Sequence, residues 1–224
     1  MTYPGLPTAT LVFLCDLEAN NDRDWFATNR DRYERYWLSA GLDLIAAFGP
    51  LLGDMRPSLQ AVPKLNHSLR RIHRDIRFSA DKRPFDPCLH IILSTDGAFN
   101  KVPGFHFVIR AQSIAFGAGH YGLSPDRLDA IRRRICDPAD RADLLAALGQ
   151  AAATGSDLDP PDLARVPNGY ESAPEWDQLL RRKSMIARTQ LPLPVPDWLF
   201  GPEAPRRIAQ LAAAHVPLLA WLLR

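Results

Sequence analysis

Apolar and polar positions along the chain follow two different periods. Leu11, Phe13, Leu14 and Leu17 have the spacing of one face of a short helix, with Thr8 or Thr10 available as its cap. After Asn20-Asn21, the residues Trp25, Phe26, Asn29, Tyr33 and Trp37 recur near helical spacing and predict a long helix. Asn21 would be its cap, with Asp24 three positions on. The aromatic side of this helix is expected to be core rather than ligand-binding surface. Leu42, Leu44, Ile45 and Phe48 form another amphipathic segment before Gly49-Pro50, and residues 53–65, broken by two prolines, read as a connection.

The period then shortens to two. Between residues 69 and 78, Ile72, Ile76 and Phe78 share one strand parity while His73, Asp75 and Arg77 occupy the other. That alternation predicts a half-buried strand, with S-A-D-K-R-P as the following turn. CLHIILST (88–95), GFHFVIRAQ (104–112) and SIAFGAG (113–119) predict three more strands, with DGAFNKVPG (96–104) as punctuation. The spacers are too short for helical crossovers, so neighbouring strands should pair antiparallel. Ser124-Pro125-Asp126 opens a further helix carrying Leu128, Ile131 and Ile135, with Ser as cap and Pro at the first helical position. Helices are also predicted over 138–153, 173–188 and 204–222, the last bent or ended at Pro217, and 154–169 reads as loop. The expected fold is α+β: an antiparallel β-meander of about four strands packed against several α-helices, as a single domain over 1–224.

Composition narrows the function classes. A 224-residue chain that is 46% hydrophobic can bury a full core and is not disordered. With 27 Lys plus Arg against 25 Asp plus Glu, the net charge of +2 excludes a general nucleic-acid coat and leaves room for a local anion site. Six Lys or Arg fall between Arg70 and Arg83 against two Asp, the densest positive cluster in the chain. Cys15, Cys88 and Cys136 show neither a disulfide framework nor CxxC spacing, so reduced, buried thiols in a cytoplasmic protein are expected. No basic region precedes the first apolar run, and LAAAHVPLLAWLL falls short of a membrane span, so no membrane partner is expected.

NNDRDWF (20–26), RIHRDIRFSADKRPF (71–85), FGAGHYGLSPDRLDAIR (116–132), VPNGY (166–170) and EWDQLLRRKSMIAR (175–188) together resemble the bacterial family known as domain of unknown function 2461. The family signature R-D-x-R-F-S-x-D-K maps onto Arg74, Asp75, Arg77, Phe78, Ser79, Asp81 and Lys82, and its following P-[YF] onto Pro84-Phe85. A Gly-rich piece maps onto Gly117, Gly119 and Tyr121. The chain departs from the pattern at His73, where Tyr is more usual, and at Asp86-Pro87-Cys88, where a Lys-Thr pair is more usual. The resemblance implies one domain over nearly the whole chain and brings no reaction, substrate or partner with it.

The signature residues carry candidate chemistry. Arg77 presents a rigid fork and Lys82 a compact charge, so they can hold phosphate or carboxylate while Asp75 orients an arginine and Asp81 joins from the turn. Arg74 shares the apolar parity and suits a structural salt bridge. The competing reading makes the whole group an ion-pair network that pins strand to turn. His73, His90, His106 and His120 approach one another if the strands pair in order. His73 and His106, on the polar parity, are the candidate proton carriers. Their spacing matches no zinc pattern, so no metal is assigned, and no motif names a cofactor. Gly117-Ala118-Gly119 is not a phosphate loop; the glycines are expected to permit a tight turn with Tyr121 closing over a strand end. With Arg127 beside the Ser124-Pro125 helix start, this region offers a second anion pocket. Cys88 and Ser79 lack a nucleophile elbow, and Tyr170 can supply a pocket wall from its loop. The leading expectation is a small anionic ligand, with enzymatic status open. The alternative is a nucleic-acid or protein-interaction module using the arginines of 127–134 and 181–188, and the oligomeric state is left open.

Overall fold

The computed structural model describes residues 3–96 and 102–224; most of the predicted DGAFNKVPG punctuation lies outside the described residues. The first half is helical: α1 (Thr8–Ala19), α2 (Arg23–Thr28), α3 (Arg30–Arg32), the π-helical stretch Tyr33–Ser39, α4 (Ala40–Ala46) and α5 (Gly49–Leu52). The predicted long helix is therefore interrupted. Asn29 turns its amide back onto the Trp25 carbonyl at 2.9 Å and leaves the helical region at φ −103°, so α2 stops there. Asp22, not Asn21, caps α2 by accepting from the Asp24 and Trp25 backbone N–H groups. Asn21 instead exchanges two 3.0 Å hydrogen bonds with the backbone of Phe85. Neither Thr8 nor Thr10 caps α1, which starts after Pro7; the Thr10 hydroxyl donates to the Tyr36 carbonyl. Phe26, Tyr33 and Trp37 are buried, as expected of a core stripe.

β1 (Leu89–Ser94), β2 (Gly104–Ile109) and β3 (Ser113–His120) form an antiparallel meander. The sheet then extends in the order β1-β2-β3-β5-β4 through β5 (Met185–Thr189) and β4 (Ser156–Leu158), and the two-residue β6 (Leu193–Pro194) also pairs with β3. The fold class is thus α+β with an antiparallel sheet, but the strand expected over 69–78 does not form. Leu69 bridges Ile91 and His73 bridges Phe85; between those points the chain leaves the sheet. The reason is local competition. The Asp75 carboxylate accepts from the Arg77 N–H, the Asp81 carboxylate accepts from the Arg83 N–H, and the Lys82 ammonium donates to the Ile76 carbonyl. Those contacts occupy groups that a ladder would need. Gln60 and residues 68–70 instead cover the β1 edge with isolated backbone bonds.

The helix expected over 173–188 is also absent. Only α8 (Asp177–Leu180) is helical there, and Met185–Thr189 is a strand. Leu179, Leu180, Met185 and Ile186 suit helical spacing, yet Met185 and Ala187 alternate with Ile186 and Arg188 across β5, and burial on the sheet selects the second period. α6 (Pro125–Cys136) is capped by the Ser124 hydroxyl, which accepts from the Arg127 N–H. α7 (Pro138–Ala152) is capped by Asp137. α9 (Ala204–Leu223) continues through Pro217, its buried face of Ile208, Ala212, Val216 and Leu219 offsetting the missing N–H bond.

The sheet contacts α4, α7 and α9 on one face, the face that carries Leu89, Ile91, Leu93, Phe105, Phe107, Ile114 and Phe116. Phe105 and Phe107 are fully buried, each contributing roughly 1.5–3 kcal/mol by the usual transfer scale. A smaller cluster joins α6, α7, α8, β5 and the end of α9 around Trp221 and Leu222. Among the described residues no helix is long and apolar enough to cross a membrane. Cys88 is buried as expected, whereas Cys15 is exposed and Cys136 half-buried.

Candidate functional site

Strand alternation puts the other face of the sheet to use. The register places His106 opposite Gly117, Gly117 opposite Arg188 and Gly119 opposite Ile186, while His90 and Val108 form a neighbouring pair. These positions line a recess of about 580 Å³ that is rimmed by Arg70, Tyr121 and Arg188. Its floor is deep over β3 because two glycines present no side chain. A Cβ at Gly117 would fall 2.4 Å from the Arg188 Cβ, and one at Gly119 would fall 2.2 Å from the Met185 carbonyl oxygen. The expected role of these glycines in a tight turn is therefore corrected: they sit inside β3, and the turn falls at Gly122, with φ +64°.

Inside the recess, His90 Nε2 and His106 Nδ1 are 2.9 Å apart. Burial holds both rings toward the neutral form. It draws His106 down to about 4, with the Arg70 charge adding to the effect. For His90, burial comes first, then His106, Arg70 and Arg110. Arg70 is placed by its backbone N–H, which donates to the His90 carbonyl at 3.0 Å; its guanidinium has no hydrogen-bonded or ion-paired partner among the described residues. Arg188 spends its Nε on Asp159 at 2.7 Å, leaving the outer guanidinium nitrogens available.

The remaining candidate residues lie elsewhere. Arg77 grips Asp75 through two of its three side-chain nitrogens, Nε at 3.0 Å and Nη2 at 2.7 Å, and the hydrogen bond from Arg77 holds that carboxyl at about 2. Asp81 accepts from Arg74 at 2.7 Å and from Arg83 at 2.8 Å. Its carboxyl is held well below the usual range, chiefly by the Arg83 bond. The Arg74 N–H donates to the Pro84 carbonyl and closes the segment into an exposed loop, at which Phe78 is 96% exposed. None of Asp75, Arg77, Asp81 and Lys82 lines the recess. His73 is separated from the other imidazoles: it packs edge-on against Phe26 and Phe85 in a second recess with Arg23, Arg30 and Arg74.

His106 and Tyr121 are the two candidates that meet at the sheet face. His90 is one of the four histidines the sequence offers, whereas Arg70 and Arg188 stand in separate stretches of it, and only the tertiary fold brings them together. Arg127 is directed away from an anion pocket; its guanidinium donates to the Leu222 carbonyl at 2.7 Å. Tyr170 donates to Asp129 and lines no described recess. Burial, with Asp86 adding, pushes the Cys88 thiol up to about 12, which removes it as a nucleophile near neutrality. Among the described residues no group of three or more His, Cys, Asp or Glu is arranged to hold a metal ion.

Comparison with known proteins adds the family but no chemistry. Neither the curated proteins nor the solved structures contain a match to the chain. A family model described as "Conserved hypothetical protein (DUF2461)" matches residues 9–221, nearly the whole length, and the chain belongs to that family.

Proposed function

We propose that the protein binds a small anionic metabolite, a carboxylate or a phosphate, in the recess on the helix-free face of the sheet. Arg70 and Arg188 neutralise the anion, the His90–His106 pair supplies neutral hydrogen-bonding groups, and Tyr121 closes one side. The observation that carries this reading is Arg70: an arginine without a partner among the described residues, beside two neutral imidazoles over an apolar strand floor. Arg70 is exposed at the edge of the recess, so its guanidinium donors are free to meet an anion that sits against the imidazoles. A cytoplasmic setting fits three cysteines that form no disulfide.

The competing anion reading places the ligand on the exposed loop, with Arg77 and Lys82 as its charge partners. Nucleic-acid binding through α6 is the weaker alternative. Arg127, Arg132 and Arg134 each bond main-chain carbonyls, and Arg133 pairs with Asp129. A thermal-shift screen of carboxylates and phosphates separates these readings. Wild type should gain stability with a subset of anions, Arg70→Ala should lose that gain, and Arg77→Ala should keep it. The reverse pattern moves the site to the loop, and no shift with any anion removes the binding reading.

A further inference from the structure

From the linked imidazoles in the recess, we infer that His90 and His106 are a proton relay that interconverts keto and enol forms of a small anionic carbonyl compound. This rests on the anion-binding reading above and adds a reaction to it. The geometry restricts the two rings jointly. Across the 2.9 Å link, one nitrogen must donate and the other accept, so the link holds a single proton. A neutral imidazole carries one N–H. With the shared proton on His90, its outer Nδ1 is a bare acceptor and the outer Nε2 of His106 carries a proton. With the shared proton on His106, the two outer nitrogens exchange roles. Neither outer nitrogen is bonded to a described residue, and both rings line the recess. The pair therefore always offers one base and one acid, whichever tautomer it holds.

That property matches a reaction in which one proton leaves and another arrives. With the anionic end on Arg70 and Arg188, a C–H beside the substrate carbonyl gives its proton to His90 Nδ1, and the bonding pair becomes the C=C of an enol. The shared proton crosses from His90 Nε2 to His106 Nδ1. His106 Nε2 then releases its proton to the carbonyl oxygen, which takes up the former π pair. Charge is conserved, no oxidant or second substrate enters, and the pair ends in its opposite tautomer. Ketonisation at the same or the adjacent carbon runs the transfers backward and resets it. Arg70 opposes protonation of both rings, so a proton taken up at one end is passed on rather than held as charge.

The test is hydrogen–deuterium exchange in D2O, followed by proton NMR, with 2-oxobutyrate, 2-oxoglutarate and dihydroxyacetone phosphate as probes and the full chain as protein. A bound probe should lose the C–H signal beside its carbonyl about 100-fold faster than in buffer, the lower end of what general acid–base catalysis contributes. His90→Gln and His106→Gln should abolish the exchange even at probe concentrations that saturate each variant's own thermal shift. A probe that binds without exchanging, or exchange that survives in both variants, overturns the relay and leaves anion binding standing. If no probe binds, the anion reading and this substrate class fall together. Nitrogen-15 NMR of wild type needs neither variant nor probe: it should find both rings neutral at pH 7 and in matched tautomers, Nε2–H on both or Nδ1–H on both, and a charged ring or unmatched tautomers there overturn the relay.

Discussion

Neutral imidazoles inside the fold make stability depend on pH in a determinate direction. His106 is drawn to about 4 from its ordinary 6.5, and His90 is lowered well below the same value, so between those values the unfolded chain binds more protons than the native one. Stability should therefore fall as pH drops from about 6.5 toward 4. The charges that act on the pair, Arg70 on both rings and Arg110 on His90, work in the same direction by opposing protonation. Chemical denaturation at several pH values checks this, and a His90→Gln/His106→Gln double variant should show a flatter profile across that window. A wild-type profile with no slope there would mean the rings charge freely in the native state. Asp75 and Asp81, held low by their arginines, contribute only at more acid pH. His106 was legible as a polar-parity residue of its strand, and so was the presence of His90 on the preceding one. Their bond was not, because it depends on how the two strands are registered against each other rather than on either strand's own pattern.

At the scale of elements, β3 sets the shape of the recess by what it lacks. Gly117→Ala should push β5 away from β3, because the new methyl would meet both the Arg188 Cβ and the Ala187 carbonyl oxygen, at 2.4 and 2.5 Å. Overpacking of this kind costs about 1–3 kcal/mol and should also displace Arg188, so both the denaturation midpoint and anion binding are expected to fall. Unchanged binding would show that the strand pair relaxes without closing the recess. The three strands of the meander could be read from alternation and short spacers. The segment 69–78 departs from its predicted strand because Ile72, Ile76 and Phe78 alternate correctly but only Ile72 is buried. Alternation reports a possible strand, whereas pairing requires free backbone groups, and Asp75, Asp81 and Lys82 engage them first. β5 was hidden for the opposite reason: its apolar residues satisfy both periods, and its partner in β3 lies far back in the sequence.

At the scale of the whole molecule, α9 belongs to both hydrophobic clusters. Ile208, Ala212 and Leu219 pack with the sheet and first helices, while Leu218, Trp221 and Leu222 pack with α6 and α7. His215 adds a polar clip in the interior, its Nε2 3.0 Å from the Ser156 hydroxyl of β4. A helix common to both clusters should make them unfold together, so tryptophan fluorescence and far-ultraviolet circular dichroism should give one coincident transition. Two separated transitions would divide the chain into independent units.

The arginines of α6 and the segment after α8 act as rivets between distant stretches of main chain. Arg132 bonds the carbonyls of Leu180 and Arg182, Arg134 that of Trp221 and Arg181 that of Leu163. A lysine in place of Arg132 or Arg134 would preserve the formal charge, yet a single ammonium cannot reproduce the planar two-point grip that each makes. These few arginines, Arg132 most completely, are therefore turned inward as joinery, and their charge is not on offer to an outside partner.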